Sequence, residues 1–366
     1  MVLPQEQKFI EKLNKRKQEN AFRTLDNSTN EKVDFFSNDY LGLSRLALKN
    51  QNIITKHGAT GSRLISGNHE QYPATESFLS TFYNTPSALI YNSGYTANIG
   101  LLSAILQKDD VVLYDEYCHA SIKDGLRLSF AKCFSFNHNN VQHLKNKIKS
   151  LGKVDYLVVE SIYSMDGDEA PLKTFVDICK ANNIALIVDE AHAVGVVSIN
   201  GLVSKLSLEH EVFARVVTFG KAVGTHGAAV LCSKNLRDYL INFSRPFIYT
   251  TALPPFSIWL IKKMHEHLND NFHLIENLKQ KIELFKEQIK GCKFPVTESN
   301  SAIQSIIIPG NIEVKKIAEK LQKAHFLVKP IRYPTVPKGK ERIRICLHTF
   351  NTSDEIISLT KLLKSI

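Results

Sequence analysis

At 366 residues, with 43% hydrophobic content and a mean hydropathy of −0.14, the chain has the bulk of a soluble globular protein and is too long for one simple core. An excess of 46 Lys and Arg over 36 Asp and Glu leaves a formal charge of +10, which suits a nucleic acid, an acidic small substrate or an acidic carrier protein equally well; solvated Lys/Glu helix faces after Lys262 account for much of it. No apolar run approaches the roughly 20 residues of a membrane span, the N-terminus lacks a secretory apolar segment, and six cysteines without a C-x-x-C pair argue against a disulfide framework or a zinc knuckle, so a reducing cytoplasm is expected.

In chain order, a charged amphipathic helix is expected over 4–22 and a short strand over 33–36. The turn-rich Ser37–Ser44 and the glycine-dense stretch 58–67 (GATGSRLISG) are loops, and the next helix starts near Pro73. Strands and helices then alternate: strand 87–92, helix 95–106, strand 111–114, helix 120–129, strand 133–136, helix 141–150, strand 156–160, helix 172–182 and strand 184–188. Near-continuous Val/Ile/Leu runs in this rhythm indicate a mostly parallel sheet covered by helices on both faces. Strands over 213–218 and 227–232 pair, with helix 235–243 following. Beyond Pro254-Pro255 come a long helical region to about residue 290, a strand at 305–308, helix 314–324, strands at 327–331 and 343–347, and a final helix from Ser353. The expected division is an N-terminal helix and arm (1–45), a large α/β domain (46–260) and a smaller α+β domain (261–366).

Ligands in such sheets collect beyond the carboxyl ends of the strands. Ser93-Gly94-Tyr95 joins a strand to a helix; the free N–H groups there suit a phosphate and Gly94 permits close approach, although a purely structural turn has the same form. His119, opening a helix, is either a structural hydrogen-bonder or an imidazole able to stack on a planar ring. Ser164, in Tyr-Ser-Met-Asp-Gly-Asp, offers a hydroxyl or forms a turn. Asp189 ends the most apolar strand, where a carboxylate requires a partner. That partner is a protonated ring nitrogen such as that of pyridoxal phosphate, or magnesium with ATP, since Asp189-Glu190-Ala191-His192 is also a helicase-type box. The latter requires the P-loop G-x-x-x-x-G-K-[ST]. Gly220-Lys221 is followed by Ala222, and Arg215 stands where the first glycine belongs, which largely removes ATP and the main reason to expect nucleic acid.

Lys221 follows the apolar run ending at Phe219-Gly220. It is a surface loop lysine or, in a part-desolvated cleft, an amine that forms Schiff bases with aldehydes. Arg342 and Arg344 alternate with Ile343 and Ile345 and so share one face of a strand, from which a guanidinium can grip a carboxylate while its neighbour faces solvent. A phosphate turn, a stacking histidine, an aspartate at a strand end and a later lysine, in that order, describe a fold type I pyridoxal-phosphate enzyme of the aspartate-aminotransferase kind.

The segments FFSNDYLGLS, GSRLISGNHEQY, YNSGYTANIG, DEYCHASIKDG, SMDGDEAPL, VDEAHAVGV, TFGKAVGTHGAAVL and YPTVPKGKERIRICL resemble the α-oxoamine synthases over nearly the whole chain. TFGKAVG…GAAVLCS, IYTTALPP and PTVP resemble the branch of biotin biosynthesis; relatives that make 2-amino-3-ketobutyrate or 3-ketosphinganine share most of the rest, and His226 stands where a small residue is expected. The resemblance implies that Lys221 carries pyridoxal 5'-phosphate covalently, that Asp189 keeps its ring nitrogen protonated, and that His119 stacks on the ring and touches substrate. Gly94 and Tyr95 then lie at the cofactor rim, while Ser164, His192 and Thr218 hydrogen-bond its polar groups. Arg344 takes the amino-acid carboxylate, and Arg23, Asn38 and Thr335 contact substrate. Thr250 or Thr251 reaches a neighbour's phosphate in a homodimer with shared active sites. The implied reaction joins L-alanine to pimeloyl-CoA or pimeloyl-acyl carrier protein with loss of carbon dioxide and free thiol, without nucleic-acid or membrane partners. The alternatives are glycine or serine as the amino acid, or a non-catalytic basic binding protein on the same fold.

Overall fold

The computed structural model describes residues 3–25, 32–48 and 56–366. Among these the strands are β1 Val33–Asp34, β2 Ser87–Tyr91, β3 Val111–Asp115, β4 Lys132–Phe136, β5 Tyr156–Glu160, β6 Ala185–Asp189, β7 Ala214–Thr218, β8 Ala228–Cys232, β9 Ile303–Ile307, β10 Phe326–Leu327, β11 Lys329–Ile331 and β12 Arg342–Cys346. The chain divides into two compact units. One comprises Met1–Ser37, Met165–Gly167 and Lys279–Ile366; the other comprises Asn38–Ser164 and Asp168–Leu278.

The second unit is built on a seven-stranded sheet in the order β2-β8-β7-β6-β5-β3-β4. From β7 to β4 all neighbours are parallel, whereas β8 runs against both β7 and β2. Because side chains alternate along a strand, successive residues feed two cores. Val158, Ile187 and Val216 pack on one face with Ala97, Leu101 and Ile122 of the helices Gly94–Ile105 and Ala120–Leu128. Leu157, Val159, Leu186 and Val188 pack on the other with Phe175 and Val176 of the helix Leu172–Asn182. Each such aliphatic side chain stabilises the fold by about 1.5–3 kcal/mol, and double-sided burial explains why these strands lack an apolar/polar alternation. The resulting sheet is the mostly parallel α/β architecture expected.

The first unit holds a three-stranded antiparallel sheet, β11-β12-β9, and a parallel pair, β1 with β10. Its opening helix ends at Gln18, four residues before the expected end, because Asn20 takes φ +52° and turns the chain. The region expected as one long helical stretch is two helices, Pro255–Asp270 and His273–Gln288. No helix among the described residues is long and apolar enough to cross a membrane.

Candidate active site

The ends of β5 and β6 place two carboxylates side by side, Glu160 in register with Asp189, both buried. Asp189 Oδ2 accepts a hydrogen bond from Asn98 Nδ2 at 2.7 Å, and Oδ1 accepts from the Ala191 N–H at 2.9 Å. Asn98 Nδ2 also donates to Ser121 Oγ at 3.0 Å, and His119 Nδ1 accepts from the Ser121 N–H at 3.2 Å. The His119 backbone N–H donates to Glu160 Oε1. One connected set of bonds thus fixes both the carboxylate and the imidazole.

Burial, together with the negative charge of Asp189, pushes Glu160 up to about 8, against the opposing pull of Lys221. Desolvation lowers the His119 pKa, with Asp189 opposing and Lys221 reinforcing the shift. Lys221 is half-buried three residues beyond β7, and its cation is therefore felt by both groups. Its carbonyl accepts from the Gly224 N–H at 2.9 Å, in a tight turn where Gly224 has φ +67°. His226 in that turn is exposed, so its bulk meets solvent.

Thr218, the last residue of β7, buries its Oγ1 without a hydrogen-bond partner among the described residues. Beside it the helix Gly94–Ile105 begins. A Cβ on Gly94 would lie 2.4 Å from Thr218 Cγ2, so only glycine allows this approach. Ser93 closes a capping box with Thr96, leaving the Gly94 and Tyr95 N–H groups in the unsatisfied first turn. The Tyr95 ring meets His119 edge-on at 6.2 Å and its hydroxyl bonds Asp124. His192 is buried with Nδ1 2.8 Å from the Tyr40 hydroxyl, which also donates to Asn38 Oδ1 at 3.1 Å. Ser164 is half-buried. Thr251 is exposed, with its carbonyl accepting from Asn92 Nδ2 at 2.8 Å.

Glu190, the second acid of the Asp-Glu-Ala-His run, is occupied elsewhere. It is buried against Arg215, whose Nε donates to Glu190 Oε2 at 2.9 Å, while its Oε1 accepts from the Val203 N–H at 2.9 Å. An acid already committed to a buried guanidinium and an amide is not a magnesium ligand in waiting.

In the other unit, neither arginine of β12 faces solvent. Arg342 is buried and ion-paired with Asp166, whereas Arg344 is half-buried between its register neighbours Ser305 and Lys329. Arg23 and Thr335 are both exposed and bond each other, Nη2 to Oγ1 at 2.9 Å. Asn98, Ser121, Tyr40 and Glu160 escape a reading of sequence. Two of them carry a local signal, Asn98 as a lone amide among the apolar residues of its helix and Glu160 as an acid closing an apolar strand.

Residues 30–359 match the aminotransferase class I and II family. An 8-amino-7-oxononanoate synthase of Emericella nidulans is 37% identical over 386 residues, covering 95% of this chain and 92% of that protein. Among solved structures, a serine palmitoyltransferase with a pyridoxal-phosphate internal aldimine superposes with a TM-score of 0.88 at 25% identity, covering 100% of this chain and 98% of the other. The 8-amino-7-oxononanoate synthase of Francisella tularensis gives 0.78 at 28%, covering 92% and 98%. The groups present fit that cofactor: an orphaned buried hydroxyl at Thr218, a glycine cradle at a helix N-terminus, and a prearranged carboxylate at Asp189. The chain belongs to the aminotransferase class I and II family, in its α-oxoamine synthase branch, and is a pyridoxal-phosphate-dependent acyltransferase.

Proposed function

We propose that the enzyme condenses L-alanine with a pimeloyl thioester to give 8-amino-7-oxononanoate, carbon dioxide and free thiol. One observation carries the assignment of the site: Asp189, His119, Lys221 and the unpartnered Thr218 hydroxyl gather at the carboxyl ends of β5, β6 and β7, where an open α/β sheet binds its ligands. The 37% identity to a relative named for that product supports these substrates.

Bound pyridoxal phosphate supplies an electron sink for negative charge at the amino-acid Cα. Asp189, held by Asn98 and the Ala191 amide, stabilises the proton on its ring nitrogen. Thr218, Ser164 and His192 take its oxygen substituents, and the first turn at Gly94 and Tyr95 takes its phosphate, joined by Thr250 or Thr251 of a second copy in a homodimer. Lys221 Nζ would carry the cofactor, and its amine would accept the Cα proton of alanine. Arg344 holds the alanine carboxylate until it leaves as carbon dioxide. His119 covers one face of the ring and touches substrate, and Arg23, Asn38 and Thr335 contact the acyl donor. The excess of basic residues suits a polyanionic carrier, coenzyme A or acyl carrier protein.

Two measurements test this. Purified protein with pyridoxal phosphate absorbs in the visible and Lys221→Ala loses that band; a wild type without affinity for the cofactor rejects the assignment. Thiol release, scanned over alanine, glycine and serine against pimeloyl and longer acyl donors, is fastest with alanine and pimeloyl. Faster turnover with serine and a long-chain donor supports the second reading, favoured by the TM-score of 0.88 to a serine palmitoyltransferase.

A further inference from the structure

The N-terminal arm carries Arg23, yet its own sequence does little to fix it. The opening helix stops at Gln18, Asn20 takes φ +52°, and residues 22–25 are exposed. The restraint comes from far along the chain. The Arg332 guanidinium donates to the Asn20 carbonyl through Nη1 and to the Phe22 carbonyl through Nη2 at 3.1 Å. Asn311 Nδ2 donates to the Glu19 carbonyl at 2.7 Å while its Oδ1 accepts from the Tyr333 N–H at 2.9 Å. The Arg332 carbonyl in turn accepts from the Thr335 N–H at 2.8 Å, and Thr335 Oγ1 accepts from Arg23 at 2.9 Å. This is a closed circuit, arm to Arg332, Arg332 to Thr335, Thr335 back to the arm. It borders a cavity of about 640 Å³ whose lining includes the cations Lys17, Arg23, Lys315, Lys329 and Arg332 against one acid, Glu319, a balance suited to an anionic ligand. A guanidinium fork can hold two carbonyls at once in a fixed plane, which the point charge of a lysine does less well.

We propose that Arg332 is a positioning residue for the acyl donor: by gripping the Asn20 and Phe22 carbonyls it presents the Arg23–Thr335 pair to that substrate. This rests on the assignment of Arg23 and Thr335 to the donor. The half-buried Arg332 feels both burial and the neighbouring Arg23 cation, so the two like charges stay close only while backbone and hydroxyl partners hold them.

Steady-state kinetics of the holoenzyme decide the matter. Arg332→Gln raises the donor KM about tenfold, with much smaller changes in kcat and in the alanine KM, and Arg332→Lys recovers part of the loss. The double variant Arg23→Ala/Arg332→Gln is no worse than Arg23→Ala alone, because one residue acts through the other. Amide exchange at Ala21, whose N–H bonds the Arg16 carbonyl at 2.8 Å, is faster in Arg332→Gln. If Arg23→Ala raises the donor KM and Arg332→Gln does not, the positioning role is overturned while the donor assignment stands. If Arg23→Ala leaves the donor KM unchanged, the donor assignment fails and the positioning role with it. A loss of bound-cofactor absorbance in Arg332→Gln marks a general folding defect and likewise overturns it.

Discussion

Thr218 shows how one atom separates stability from binding. Its Oγ1 is buried without a partner among the described residues, a condition that costs about 1–3 kcal/mol until a ligand completes it. Valine has nearly the same shape and no hydroxyl. Thr218→Val is therefore expected to stabilise the apoprotein by about 1 kcal/mol and to weaken pyridoxal-phosphate binding about tenfold. Thermal denaturation without cofactor and spectrophotometric titration with it should move in opposite directions; parallel movement would mean that Thr218 serves packing alone. The neighbouring carboxylates obey a related logic. Asp189 already accepts from Asn98 and the Ala191 amide, while Glu160, beside it and fully buried, is driven toward its neutral form near neutral pH.

Between β6 and β7 the decisive element contact is the buried pair of Glu190 and Arg215. The guanidinium also donates to the Tyr83 carbonyl at 3.1 Å and the Asn200 carbonyl at 2.7 Å, and so ties both strand ends to two loops. Removing one partner strands the other charge in the core. Glu190→Ala is expected to cost about 3–5 kcal/mol in urea denaturation, and Glu190→Gln with Arg215→Met to recover much of that. A cost below 1 kcal/mol for the single change would show that water reaches the guanidinium. Because Asp189 immediately precedes Glu190, the pair also anchors the turn that carries the ligand-facing carboxylate.

At the scale of the large unit, His138 joins segments distant in sequence. Its Nδ1 lies 2.9 Å from Asp115 at the end of β3 and its Nε2 2.7 Å from Asp168, with the Tyr117 ring stacked on it at 4.4 Å. Burial lowers the imidazole pKa, but the two carboxylate hydrogen bonds outweigh it and raise the value to about 10, against 6.5 ordinarily. A raised folded-state pKa means that the contribution to stability is complete below 6.5 and disappears as pH climbs through about 10. His138→Gln should accordingly lose about 2–3 kcal/mol at neutral pH, with the gap to wild type closing toward pH 10. A gap independent of pH would assign the loss to packing.

The alternation of apolar strands and helices, and with it the parallel sheet, was legible in the sequence because burial on both faces leaves a local signature in every strand. Asp189 and Lys221 stood out for the same reason, as charged groups at the edges of apolar runs. Tyr40 and Arg332 did not, since each acts through a partner far away in the chain, His192 and Asn20 respectively, and no local pattern records such a meeting. Likewise only tertiary structure pairs Arg342 with Asp166, a residue far away in the chain. Hydrophobic periodicity is written along the chain and fixes the scaffold; hydrogen-bond partnership is a property of space, and it settles which of the polar groups are committed to the fold and which remain for chemistry.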